Sequence, residues 1–178
     1  MATTIAAPPA DVWPWLVQMG CNRAGWYSWD RLDNGGHVSA DRIHPEWQQI
    51  AEGDRLASVP DGSRWFRVAL AEPERTLVLR ASMTLPAAKP FDPEDDMPRA
   101  YIDSTWGFHL RPTPQGGTRL LTSGCVRSSP RWLTEAADWL VWDPAHWVMQ
   151  TKQFRELRRR TERAGSVRPI EAEETVPA

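Results

Sequence analysis

A single long amphipathic helix at the end of a chain otherwise made of short strands leaves few folds open. Asp143-Pro144 supplies an N-cap with proline at the first helical position, and helical spacing predicts a helix from Pro144 to about Ala164. Its candidate inner face combines Trp147, Gln150, Phe154 and Leu157 with the adjoining His146, Met149 and Gln153. Ahead of it, alternation and turn residues predict strands over 54–59, 64–71, 76–83, 101–111 and 118–126. The connections through Pro60-Asp61-Gly62, Glu72-Pro73-Glu74-Arg75 and Pro112 to Gly117 are short, which makes neighbouring strands antiparallel. Leu85 to Arg99 carries Pro86, Pro90, Pro93 and Pro98 and reads as a long loop over one end of the sheet. A sheet with one apolar face needs a cover, and the final helix is long enough to provide it. The expected class is α+β: a strongly curved antiparallel β-sheet wrapped around a long C-terminal α-helix, with short helices after a short first strand.

Those short helices are read from Asp11 to Met19, where Val12, Trp15, Leu16 and Met19 follow helical spacing, and from Trp26 to Leu32. A further turn is expected within 40–49, and Arg131 to Trp142 reads as helical. In the strands, Trp106, Phe108 and Leu110 share a face, as do Phe66, Val68 and Leu70, and Leu77, Leu79, Ala81 and Met83; these are expected to line the concave side. Trp65, Arg67, Val78, Arg80 and His109 then point outward.

A length of 178 residues with 41% apolar and 25% charged content fits one globular domain, placed at 1–164, with a polar, acidic and disordered tail expected over 165–178. A net charge of −2 gives no field to attract nucleic acid, so no nucleic-acid partner is expected. Arg155, Arg158, Arg159, Arg160 and Arg163 read as a solvated helix end. Cys21 and Cys125 have no short-spaced partners, and His37, His44 and His109 lack ligand spacing, so no metal and no cofactor are expected. Reduced cysteines and an N-terminus unlike a signal peptide point to a cytoplasmic protein. The apolar stretch 132–149 is broken by charges and proline and is not a membrane span; a membrane partner is not expected.

The chain resembles the START-like helix-grip superfamily, also known as SRPBCC or the polyketide cyclase/dehydrase and lipid transport family, in an actinobacterial-type subgroup. The resemblance is carried by Ile5-Ala6-Ala7-Pro8-Pro9-Ala10-Asp11-Val12-Trp13-Pro14-Trp15-Leu16, Arg23-Ala24-Gly25-Trp26-Tyr27-Ser28-Trp29-Asp30, Ala40-Asp41-Arg42-Ile43 and Gly53-Asp54-Arg55. It continues in Thr105-Trp106-Gly107-Phe108, Gly117-Thr118-Arg119-Leu120 and Pro144-Ala145-His146-Trp147-Val148-Met149. It implies a bent sheet gripping the final helix with a cavity for an apolar ligand between them. Where the family has a full edge strand, this chain offers only Met1 to Ala6, which leaves closure of the sheet along that edge open.

Eleven tryptophans carry most of the aromatic surface. The candidate ligand-binding residues are Trp26, Tyr27, Trp29, Asp30, Phe66, Leu79, Trp106, Phe108, Trp142, His146, Met149 and Gln153; the same side chains would also serve as plain packed core. Trp147 is expected, with Trp26, Trp29, Trp106 and Trp142, to surround the cavity or its rim. The leading expectation is binding of a small apolar or aromatic molecule, lipid or polyketide-like. One alternative is a cyclase or dehydratase using Asp30, Tyr27 and His146 as acid/base groups, the ring of His146 kept neutral by the helix N-terminus. Another is peripheral membrane association through Trp132, Trp139, Trp142 and Trp147, whose spacing does not place them on one helical face. Whether there is turnover, and the oligomeric state, stay open.

Overall fold

The computed structural model describes residues 1–131 and 143–167. The elements run β1 (Ala2–Ile5), α1 (Pro9–Val17), α2 (Asp30–Asp33), a 3-10 turn (Pro45–Trp47), β2 (Arg55–Ala57), β3 (Trp65–Glu72), β4 (Thr76–Thr84), β5 (Tyr101–Pro112), β6 (Thr118–Ser129) and α3 (Asp143–Val167). The class is α+β. Six strands in the order β1-β6-β5-β4-β3-β2, every neighbouring pair antiparallel, form one open curved sheet, and α3 packs with α1 over its concave face.

Sequence order and spatial order agree because each connection from β2 to β6 is a local turn or loop. α1 starts and ends two residues earlier than expected, with Pro9 in its first turn, where a missing N–H costs nothing. The expected helix over 26–32 shrinks to α2, because the chain at Gly25 to Trp29 takes a non-helical path described below. α3 extends past Gly165 to Val167, three residues beyond the expected end. The expected helix over 131–142, the candidate Trp142 and the rest of the tail lie outside the described residues.

Facing along the strands follows the alternation with one correction. Leu77, Leu79, Phe108 and Val68 are each at most 1% exposed and Leu110 2%, all in the concave core. In β3 the register slips between Val68 and Leu70: Val68 pairs with Leu79, but Leu70 pairs with Val78 and Ala71 with Leu77. Ala69 is the extra residue of a bulge, so Leu70 turns to the convex side and Ala71 takes its place on the core side. The proline-rich loop runs back beside β4, with Phe91 N–H donating to the Ser82 carbonyl at 3.1 Å. Asp92 of that loop is paired with the outward Arg67 at 3.1 Å.

α3 buries Gln150, Gln153, Phe154, Leu157, Arg160 and Thr161 against the sheet and α1. Two expectations for its faces change. Trp147 is 60% exposed and stands away from the inner stripe. Arg160, read as solvated, is 8% exposed: its guanidinium donates to the carbonyls of Ala40 and Ser39 and pairs with Glu156. A buried guanidinium is tolerated when its donors meet acceptors in this way.

Candidate functional site

The site starts at a sharp turn. Gly25 has φ +75°, and a Cβ there would sit 2.4 Å from Ser39 Oγ and 2.9 Å from Asn34 Nδ2, so no side chain fits. Tyr27 follows with φ +56°, a left-handed conformation that costs a bulky residue energy and needs fixing from outside. Ser39 does the fixing: its Oγ accepts from Tyr27 N–H at 3.2 Å and donates to Asp30 Oδ1 at 2.6 Å. The turn sends two adjacent aromatic side chains to different places.

Trp26, 4% exposed, packs edge-on against Phe66 with centroids 5.3 Å apart and meets Trp106 at 5.8 Å. Trp106 is the hub of the cluster. It also touches Phe66 at 5.9 Å, Phe108 at 4.7 Å and the ring of His146 at 6.0 Å. Leu79 pairs with Trp106 across β4 and β5 and floors the cluster. Trp26 and Phe108 are buried, while Phe66 and Trp106 are half-buried and His146 is exposed, so the cluster opens to solvent at its His146 side.

A chain of amides ties this cluster to α3. An indole N–H can only donate, so Trp106 Nε1 fixes the orientation of Gln150, whose Oε1 accepts at 3.1 Å. Gln150 Nε2 then donates to Gln153 Oε1 at 2.7 Å, and Gln153 Nε2 donates to the Trp26 carbonyl at 2.9 Å. Both glutamines are at most 2% exposed, and the relay runs in one direction from one indole to the backbone of the other. Ser28 Oγ adds a bond to the Met149 carbonyl at 3.2 Å. Gln150 was placed on the inner face of the helix by its spacing but not among the candidate site residues. The signal was two amides three residues apart in an apolar stripe, an arrangement that demands polar partners.

Tyr27 belongs to a separate nexus under α1. It is 1% exposed, edge-on to Trp15 at 6.0 Å, and its oxygen accepts from Gln18 Nε2 at 2.7 Å. Burial pushes its phenol well above the usual tyrosine range, against opposing pulls from the Gln18 hydrogen bond and the Arg160 and Arg23 charges. Asp30 opens α2 and is held by Ser39. Of the three anticipated acid/base groups, His146 alone has a described ring contact with the Trp106 cluster. Trp29 stands apart as well, 45% exposed beneath Lys152, whose Nζ lies 4.0 Å above the ring.

Two features near the turn escaped sequence reasoning. Cys21 Sγ donates to the Asp33 carbonyl at 3.0 Å, and both Asp33 carboxylate oxygens are buried without a well-formed hydrogen bond, only weak pulls from Ser28 and the nearby backbone N–H groups. Burial raises the Asp33 carboxyl, and the like charge of Asp30 adds to it. Among the described residues no three His, Cys, Asp or Glu side chains converge as metal ligands, and no helix is long and apolar enough to cross a membrane.

No family model matches the chain, and no curated protein matches it. Several solved structures are similar. Protein MLL2253 from Mesorhizobium loti is 22% identical, covers 92% of this chain and 95% of its own, and superposes with a TM-score of 0.47. CalU16 from Micromonospora echinospora is 16% identical over 93% of this chain and 84% of its own, with a TM-score of 0.40. A protein from Arthrobacter aurescens is 13% identical over 98% and 88% of the two chains, with a TM-score of 0.48.

Proposed function

We propose that this is a START-like helix-grip protein that binds a small, uncharged, apolar or aromatic molecule, lipid or polyketide-like, against the Trp106 cluster. The observation that carries the reading is Trp106 itself. It is a half-buried indole with four ring neighbours, anchored to α3 through Gln150, at the point where the aromatic surface between sheet and helix meets solvent. Of the five rings His146 alone is ionisable, which favours neutral ligands, since a charge set against apolar rings loses hydration without a partner. Flat rings favour flat ligands: offset or edge contacts add roughly 0.5–1.5 kcal/mol per pair beyond the area they bury.

The test is a titration of intrinsic tryptophan fluorescence with a panel of neutral naphthols, aryl ketones and fatty alcohols. At least one class is expected to quench or shift the emission saturably. Phe66→Ala is expected to weaken that binding by roughly tenfold, in line with one lost aromatic contact and its buried area. A flat response across the panel overturns the reading.

A further inference from the structure

On the α1 side of the molecule an open cleft of about 530 Å³ lies between α1, the turn before β2 and the β3–β4 connection. That volume falls in the range of small-molecule sites. Its walls differ in character. Trp13, Ile50, Ala71 and Pro73 supply apolar surface, whereas Gln48 and Asp54 supply polar atoms. Among the described residues, Asp54 is the one charged residue lining it.

The position of that carboxylate is well defined. Asp54 Oδ2 accepts the Ala51 N–H at 2.8 Å, which fixes the side chain, and no ion pair holds it among the described residues. Arg23 feels its charge but spends one guanidinium nitrogen on the carbonyls of Val17 and Trp47, at 3.0 and 2.7 Å. Gln48 is fixed too: its Nε2 faces the carbonyls of Pro14 and His44 and Gln18 Oε1. The cleft therefore offers an immobilised negative charge, a half-buried indole and a short apolar wall.

From these features we infer that the cleft binds a small organic cation, a primary or secondary ammonium carried on an apolar or aromatic body. The ammonium pairs with Asp54 and meets the face of Trp13, while the body covers Ile50, Ala71 and Pro73. Charge complementarity selects this occupant. An anion meets Asp54 with no compensating cation in the lining, and a lone carboxylate is too few ligands for a divalent metal. The site is separate from the Trp106 cluster and does not rest on the reading proposed for it.

The experiment uses the whole chain labelled with 5-fluorotryptophan and followed by fluorine NMR. The Trp13 and Trp106 resonances are assigned from Trp13→Phe and Trp106→Phe. Phenethylamine and 2-phenylethanol, equal in size and differing in charge, are the two probes. Phenethylamine is expected to shift the Trp13 resonance saturably and leave that of Trp106 in place. The alcohol should bind roughly tenfold more weakly, the combined effect of one part-exposed ion pair and one cation–π contact. Asp54→Asn, whose amide oxygen still accepts from Ala51, should bring the amine down to the level of the alcohol. Equal binding of both probes, an Asp54→Asn protein that binds the amine as before, or an unmoved Trp13 resonance overturns the inference. A shift of Trp106 alone overturns it too and assigns the amine to the other site.

Discussion

Asp103 carries the best-made polar contact on the convex face. Arg80 donates to it through Nε at 2.8 Å and a terminal nitrogen at 2.7 Å, and Ser82 Oγ adds a third bond at 2.8 Å. The paired guanidinium holds the Asp103 carboxyl below the usual aspartate range, with burial opposing it and Ser82 assisting. A depressed pKa gives stability that is fully present above the unfolded value of about 3.9 and is lost as pH falls through the folded one. Because the Arg80 side is part-exposed, Asp103→Asn should cost only about 1–2 kcal/mol in urea unfolding at neutral pH. The difference from wild type should vanish in acid. Asp33 has the opposite sign. Its raised carboxyl favours the fold while protonated, and that contribution is lost as pH rises through the folded value. Asp33→Asn is therefore expected to raise the melting temperature at neutral pH and leave it unchanged near about pH 4, as scanning fluorimetry can check.

At the scale of elements, the bulge in β3 makes a prediction that a regular strand would not. Deleting Ala69 restores plain alternation, with Val68, Leu70 and Ala71 keeping their present partners, and should cost roughly 1 kcal/mol or less. Deleting Val78 opposite it inverts the facing of Leu77 and should prevent folding; circular dichroism and thermal melts separate the two outcomes. The glutamine relay anchors α3 in a similar all-or-none way. Gln153→Leu strands the Trp26 carbonyl and the Gln150 amide inside the protein and should cost about 1–3 kcal/mol, read from chemical unfolding. The hairpins and the final helix were legible because they are local: turn residues and spacing specify them within a few positions. The bulge was not, since alanine suits either face of a sheet and leaves no mark on the pattern. Nor was the split between Trp26 and Tyr27, which depends on a left-handed tyrosine held by Ser39 from a distant segment. Arg160 misled for a related reason: helical spacing names its partner Glu156 but not its other acceptors, the carbonyls of Ser39 and Ala40. The members of the candidate site on β3, β4 and β5, Phe66, Leu79, Trp106 and Phe108, were readable from alternation, whereas the amides that hold Trp106 needed the packed structure.

For the whole molecule, the two borders of the sheet are finished differently. β2 and the Gly53–Asp54 backbone cover β3, whereas β1 pairs with β6 only from Thr118 to Leu121, with Met1 reaching Thr122. Among the described residues, β6 has no ladder partner on that edge beyond Thr122. Beyond Thr122 the strand is exposed from Ser123 to Arg127, and Val126 is 57% exposed there. A strand edge without a partner among the described residues invites pairing between chains. Val126→Lys should slow concentration-dependent association on mild heating, followed by light scattering, without lowering the melting temperature.

The bonds that join the two ends of the chain bear on its synthesis. Ala6 N–H awaits Glu162, the Trp26 carbonyl awaits Gln153, and the Ala40 carbonyl awaits Arg160, across separations of 156, 127 and 120 residues. On the ribosome the first forty residues emerge long before these partners exist, with Trp13, Trp15 and Trp26 among them. Until the α3 segment clears the exit tunnel these three backbone groups stay on water, so the N-terminal segment is locked to the rest of the fold only as a late step of assembly.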